Sequence, residues 1–242
     1  VPSSGSPTYV IASRDLGGGN TLYTIQDNAF VPYSTQGLDP AYVPERLVEF
    51  NGSVYMTAFR RATTFPLSVA NTAFYRWNGA QWEWVFWGWV TVRAPIVHDG
   101  RLCFIATWRE DFEGHEVFPT GVWSFDGANF SELARFDQRP ETLASMNGLL
   151  YVGGPFTQVT PSGQSSRAAT YLAQWDGATW SGVNFSSLNG PVRHLAVFQP
   201  NPFVTFPSLI VCGDFTSAGG APANHVAAWD PQFLPSGAWS AL

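Results

Sequence analysis

Lysine is absent from this chain of 242 residues: all 12 basic residues are arginine, and charged residues of both signs make up only 12%. That share is about half of what a globular domain ordinarily carries. The 18 acidic residues bring the formal net charge to −6, and no basic cluster stands out along the sequence. Nucleic acid and anionic membrane are therefore not expected as partners, because both are recognised through concentrated positive charge. No apolar run approaches the ~20 residues a helix needs to span a bilayer, so no membrane span is expected. No signal-peptide pattern is expected from these residues, and the sequence opens Val1-Pro2 without a methionine. That opening reads as a trimmed, secreted product and leads us to expect an extracellular or cell-surface location.

Cysteine and histidine are also scarce. Cys103 and Cys212 are the only two thiols, each inside an apolar strand-like run (Leu102 to Ile105 and Leu209 to Cys212). A thiol in such a run is usually a small buried hydrophobe, and no disulfide between the two is expected. His98, His115, His194 and His225 show no metal-ligand spacing, and no CxxC accompanies them. Structural or solvent-facing roles are expected for all four, with no metal and no cofactor.

What the chain has in quantity is aromatic residues and turns. Hydrophobic residues make up 45% and aromatics 16%, with 11 Trp and 19 Phe, alongside 23 Gly and 18 Pro. Such a composition supports a large core and many turns, and disfavours long helices. An aromatic, a polar turn and a second aromatic recur in order. They read Trp77-Asn78-Gly79-Ala80-Gln81-Trp82, Phe125-Asp126-Gly127-Ala128-Asn129-Phe130 and Trp175-Asp176-Gly177-Ala178-Thr179-Trp180. Trp229-Asp230 followed by Gly237-Ala238-Trp239 is a looser copy, and Gln26 to Phe30 a decayed one. Asn-Gly and Asp-Gly predict hairpin turns with both central residues at positive φ.

A second turn-and-strand unit precedes each of the later copies: Asn51-Gly52 before Val54 to Phe59, Asp99-Gly100 before Leu102 to Trp108, and Asn147-Gly148 before Leu149 to Phe156. A longer turn at Gln199 to Pro202 precedes Leu209 to Phe215. Two hairpins in a period of roughly 50 residues match a four-stranded propeller blade. In the last copy the strands are expected near Arg193 to Phe198, Leu209 to Phe215, Val226 to Trp229 and Trp239 to Leu242. The expected fold is all-β: one domain over 1–242, a β-propeller of about five four-stranded blades, the first incomplete. The blades fall at about 1–34, 40–90, 91–135, 138–187 and 190–242.

Tyr151-Val152-Gly153-Gly154-Pro155-Phe156-Thr157 and Cys212-Gly213-Asp214-Phe215-Thr216-Ser217-Ala218-Gly219-Gly220 resemble the YVGGxFTxAGG part of kelch-like propeller repeats. Val226 to Asp230 and Leu172 to Trp180 resemble the VAxWDGxxW part that follows. Repeats of this kind occur in bacterial extracellular proteins and in fungal cortical cell-polarity markers. The resemblance is strongest over 140–242, implies a propeller fold, and carries no catalytic residue across.

The first copy begins at its second strand, Tyr9 to Ser13, so the innermost strand of that blade is expected to be missing, leaving an open sheet edge. Trp82, Trp84 and Phe86 alternate onto one face of an outer strand, and Val85, Trp87 and Trp89 onto the other. Such a strand is either sandwiched between neighbouring blades or exposed as a protein contact or a platform for sugar rings. Trp82, Trp84, Phe86, Trp87 and Trp89 are accordingly the candidate interface or ligand residues.

Motifs for catalysis are missing. Arg109 to Glu116 is charge-dense, with four carboxylates and a histidine, yet its spacing does not fit an EF-hand and a solvated loop is expected. Ser124-Phe125-Asp126-Gly127 lacks one residue of the sialidase Asp-box. Arg60-Arg61 reads as ordinary surface, and the glycine pairs open no helix. No nucleophile elbow, Walker motif or HExxH is present. The sequence thus points to a non-catalytic extracellular structural or interaction propeller, self-assembling into a homo-oligomer or filament; the alternative is a carbohydrate- or ligand-binding propeller.

Overall fold

The computed structural model describes residues 8–14, 18–26, 29–60, 72–85, 90–183, 188–199, 207–231 and 238–242. Phe86, Trp87, Trp89, Arg61 and the segment 1–7 lie outside them. Among the described residues there is no helix, and every paired strand is antiparallel to its neighbour. Two compact units make up the chain, Val1–Pro95 and Ile96–Leu242.

In the first unit, β1 (Thr8–Arg14), β2 (Gly18–Gln26) and β3 (Ala29–Pro32) form a three-stranded meander. A four-stranded meander follows: β4 (Tyr42–Phe50), β5 (Ser53–Arg60), β6 (Thr72–Trp77) and β7 (Trp82–Trp84), in that spatial order. Leu22 of the first sheet packs with Val54, Met56, Ala58, Ala73, Tyr75 and Trp82 of the second.

β8 (Val90–His98) leads into the second unit, which continues with β9 (Arg101–Trp108), β10 (Glu110–Phe112), β11 (His115–Val117), β12 (Thr120–Phe125) and β13 (Phe130–Phe136). β14 (Thr142–Met146), β15 (Leu149–Gly153), β16 (Gln158–Pro161), β17 (Arg167–Ala168), β18 (Leu172–Trp175) and β19 (Trp180–Gly182) come next. The chain closes with β20 (Val192–Phe198), β21 (Ser208–Gly213), β22 (Ser217–Ala218), β23 (Ala221–Pro222), β24 (Val226–Asp230) and β25 (Ala238–Ala241). The sheet orders are β8-β9-β12-β13, β14-β15-β18-β19 and β20-β21-β24-β25, with β16 and β17 extending the first of these beyond β13. The strand order expected for the last repeat is the one observed.

The sheet of β14 is buried on both faces. Leu143, Leu150, Val152, Ala173 and Trp180 share one face. Ala144, Met146, Tyr151 and Leu172 on the other interlock with Val192, Leu195, Leu209 and Val211 of the last sheet.

The Asx-Gly dipeptides do two different jobs. At Asn51-Gly52, Asp99-Gly100 and Asn147-Gly148 both residues take positive φ, the type I′ geometry that matches strand twist. In the aromatic hairpins only the glycines do, as Gly79, Gly127 and Gly177 show. The loop there has four residues, because Trp77 pairs with Trp82, Phe125 with Phe130 and Trp175 with Trp180. The expectation of two positive φ values fails at these turns for a physical reason: the Asx side chain closes the loop instead. Asp176 Oδ1 accepts from the N–H of Ala178 at 2.9 Å and of Thr179 at 2.6 Å, and Asn78 and Asp126 repeat the pattern.

Candidate functional site

Of the candidate aromatic residues, the structure places Trp82 and Trp84 on the same face of β7, and their fates differ. Trp82 is 2% exposed. Its indole N–H donates to the Ser34 carbonyl at 3.0 Å, and its ring lies 5.4 Å from Trp77 and 6.5 Å from Tyr33. Trp82 therefore fastens the second sheet to the chain leaving the first, and as a contact or stacking residue it is corrected to a core residue. Trp180 has the same place in its own hairpin and the same bond, donating to the Leu133 carbonyl at 3.2 Å. Trp84 is 39% exposed, with its ring edge-on to Tyr42 at 5.4 Å and tilted on Tyr75 at 4.7 Å. Of the five candidates, it is the one the structure describes at a surface.

The charge-dense segment from Arg109 to Glu116 is not a loop but the β10–β11 hairpin, turning at Glu113-Gly114 with both residues at positive φ. Three of its four carboxylates are engaged with protein. Glu110 takes two bonds from Arg135 (3.0 and 2.9 Å) and one from the Trp108 indole (2.7 Å), which hold it below the usual carboxylate range. Glu116 pairs with Arg109, and Asp111 accepts from the Gly114 N–H at 3.1 Å. Phe112 on this hairpin is 62% exposed. Among the described residues no group of three His, Cys, Asp or Glu side chains is arranged to hold a metal ion.

A second polar set lies on or just ahead of the first strand of successive sheets. Glu45, Arg93, Glu141 and Arg193 stand the same distance before the strand's last residue, which is Phe50, His98, Met146 and Phe198 respectively. The signs alternate along the chain. Glu45 and Arg193 are each the extra residue of a bulge, a device that re-aims a side chain. Arg193 reaches Glu141 at 2.7 Å and Asp214 at 2.9 Å, joining two sheets of the second unit. Sequence reading placed the start of the last repeat's first strand at Arg193 but missed the shared register. The signal was available by counting back from each turn.

Two further polar pins were not foreseen. Asp137 accepts from the N–H groups of Thr157 and Gln158, both at 2.9 Å, and from the Thr157 hydroxyl at 2.6 Å. Asn189 likewise accepts from the N–H groups of Thr216 and Ser217, but its amide N–H donates to the Thr216 hydroxyl. Phe156 and Phe215, one residue before each threonine, are fully buried. Both cysteines are free, and burial pushes the Cys103 thiol up to about 12, so it stays protonated and unreactive. His98 is buried, while His115, His194 and His225 are exposed.

No protein-family model matches the chain, and no curated protein matches it.

The last sheet presents open apolar surface. At the end of the first strand, Phe50, His98 and Met146 are all buried, whereas Phe198 is 54% exposed. Ala196 and His194 on the same face of β20 are also exposed, beside half-buried Ile210, Cys212 and Val226.

Proposed function

We propose that this chain is a propeller-type scaffold that works outside the cell through contacts with other protein copies, without catalysis. The supporting architecture is the tandem of meander sheets in chain order, together with the resemblance of the 140–242 segment to kelch-like repeats. The observation that carries the reading is the exposed apolar face of the last sheet, centred on Phe198, at a register where the other sheets bury their residue. Exposed apolar surface of this kind is typical of interaction sites. Glu110 with Arg135, and Arg193 with Glu141 and Asp214, are charges paired with protein charges, which suits structure better than chemistry.

Particle size tests this directly, by light scattering with negative-stain imaging of native material. Ordered polymers or closed oligomers that fall apart on Phe198→Ser support the scaffold. A 26.5 kDa monomer at all concentrations sinks it.

The half-exposed Trp84, edge-on to Tyr42, favours one other reading, a glycan-binding propeller in which Trp84 stacks on a sugar ring. A monomer retained on a glycan array, and released by Trp84→Ala, would select it.

A further inference from the structure

In three of the four-stranded sheets the residue that ends the first strand is packed in the core, and in two of those it is Phe50 or Met146. In the third it is His98, 2% exposed. The imidazole sits on the seam between two sheets of the second unit. Its Nδ1 is 2.9 Å from the Ser145 hydroxyl on β14, and its ring lies 5.8 Å from that of Trp175 on β18. Ser145 and Trp175 share the face of their sheet that also carries Leu143, Leu150 and Trp180.

We propose that His98 is an acid-sensitive latch on this seam, neutral when the sheets are closed on each other and driving them apart when it gains a proton.

Few charges are near enough to offset a proton there. On the facing sheet, β14, β15 and β18 carry no charged residue. Asp176, following β18, is exposed and already accepts from its own turn. Glu141, ahead of β14, is joined to Arg193. On the histidine's own sheet, β12 is uncharged and β9 offers only Arg101, a like charge. Arg93, earlier on β8, is a like charge as well. Asp99, next in the chain, is the one group acting in favour of the imidazolium. Burial outweighs it, and the ring's proton affinity is held below the ordinary value of 6.5. The unfolded chain therefore binds the proton more readily than the folded one. Stability is complete above about 6.5 and is lost as pH falls from there through the folded-state value.

The test uses urea unfolding of the whole chain between about pH 8 and about pH 5, the range in which histidine titrates. His98→Gln keeps an amide for Ser145 but cannot titrate, and His194→Gln is the exposed control. The expected result is a midpoint that drops with acid in the parent and in the His194 variant, and drops distinctly less in His98→Gln. Equal acid loss in all three proteins overturns the latch. Should His98→Gln fail to fold, the C2 proton of His98 is followed by NMR in the native parent. A titration below 6.5, accompanied by shifts at Ser145 and Trp175, supports the proposal. One at or above 6.5, or one that leaves those neighbours unmoved, overturns it.

Discussion

Arg193 and Glu141 meet at 2.7 Å although they occupy the same register of successive first strands, one on a bulge and the other just ahead of its strand. Equivalent positions in stacked sheets are thus joined by opposite charge. Asp214 completes the cluster from the loop after β21. Arg193 and Asp214 are half exposed and Glu141 partly so, and screening therefore limits what the cluster contributes. Arg193→Ala should lower the unfolding midpoint slightly in low salt and not measurably in ~1 M salt, where the screening length falls to about 3 Å. A large, salt-independent loss in chemical denaturation would contradict this.

Trp82 is expected to matter far more. Trp82→Phe removes the bond to the Ser34 carbonyl and should cost about 1 kcal/mol. Trp82→Ala also opens a cavity and should cost about 3–5 kcal/mol. Denaturant titration of both variants checks the order as well as the size.

Gly37 and Gly52 separate two reasons for a glycine. Both have positive φ, but a Cβ on Gly37 would run into the Trp82 carbonyl, whereas nothing lies within 4 Å of one on Gly52. Gly52→Ala should cost about 1–2 kcal/mol from backbone conformation alone. Gly37→Ala should cost visibly more, as measured by thermal unfolding.

The aromatic hairpins predict an acid response of their own. The carboxylates of Asp126 and Asp176 are held below the usual value of 3.8 by the backbone N–H groups of Asn129 and Thr179 first, and of Ala128 and Ala178 next. The folded state thus binds these protons less readily than the unfolded one. The contribution is present above about pH 4 and disappears as pH falls through the folded-state values. Asn78 makes the same bonds without ionising. The double variant Asp126→Asn, Asp176→Asn should therefore flatten the acid limb of a stability–pH curve, leaving neutral stability nearly unchanged.

The strands were legible because the turn signals are local. Asn51-Gly52 and Asn147-Gly148 sit between alternating apolar runs, and both the dipeptide and the runs can be read within ten residues. The β10–β11 hairpin was not legible, because short strands rich in Glu and Asp lack the apolar alternation that marks a strand. Alternation placed Trp82 and Trp84 on one face, yet it says nothing about what covers that face. Cover comes from Tyr33 and Ser34, far away in the chain. The pins at Asp137 and Asn189 escaped notice for the same reason: an acceptor and the turn it holds are separated by a whole strand or more.

The two indole fastenings have a direction. At each, the donor belongs to the later sheet and the acceptor is a carbonyl earlier in the chain: Trp82 bonds to Ser34, just past β3, and Trp180 to Leu133, in β13. The bonds span 48 and 47 residues, so each ties a hairpin back to chain almost one full sheet earlier in the sequence.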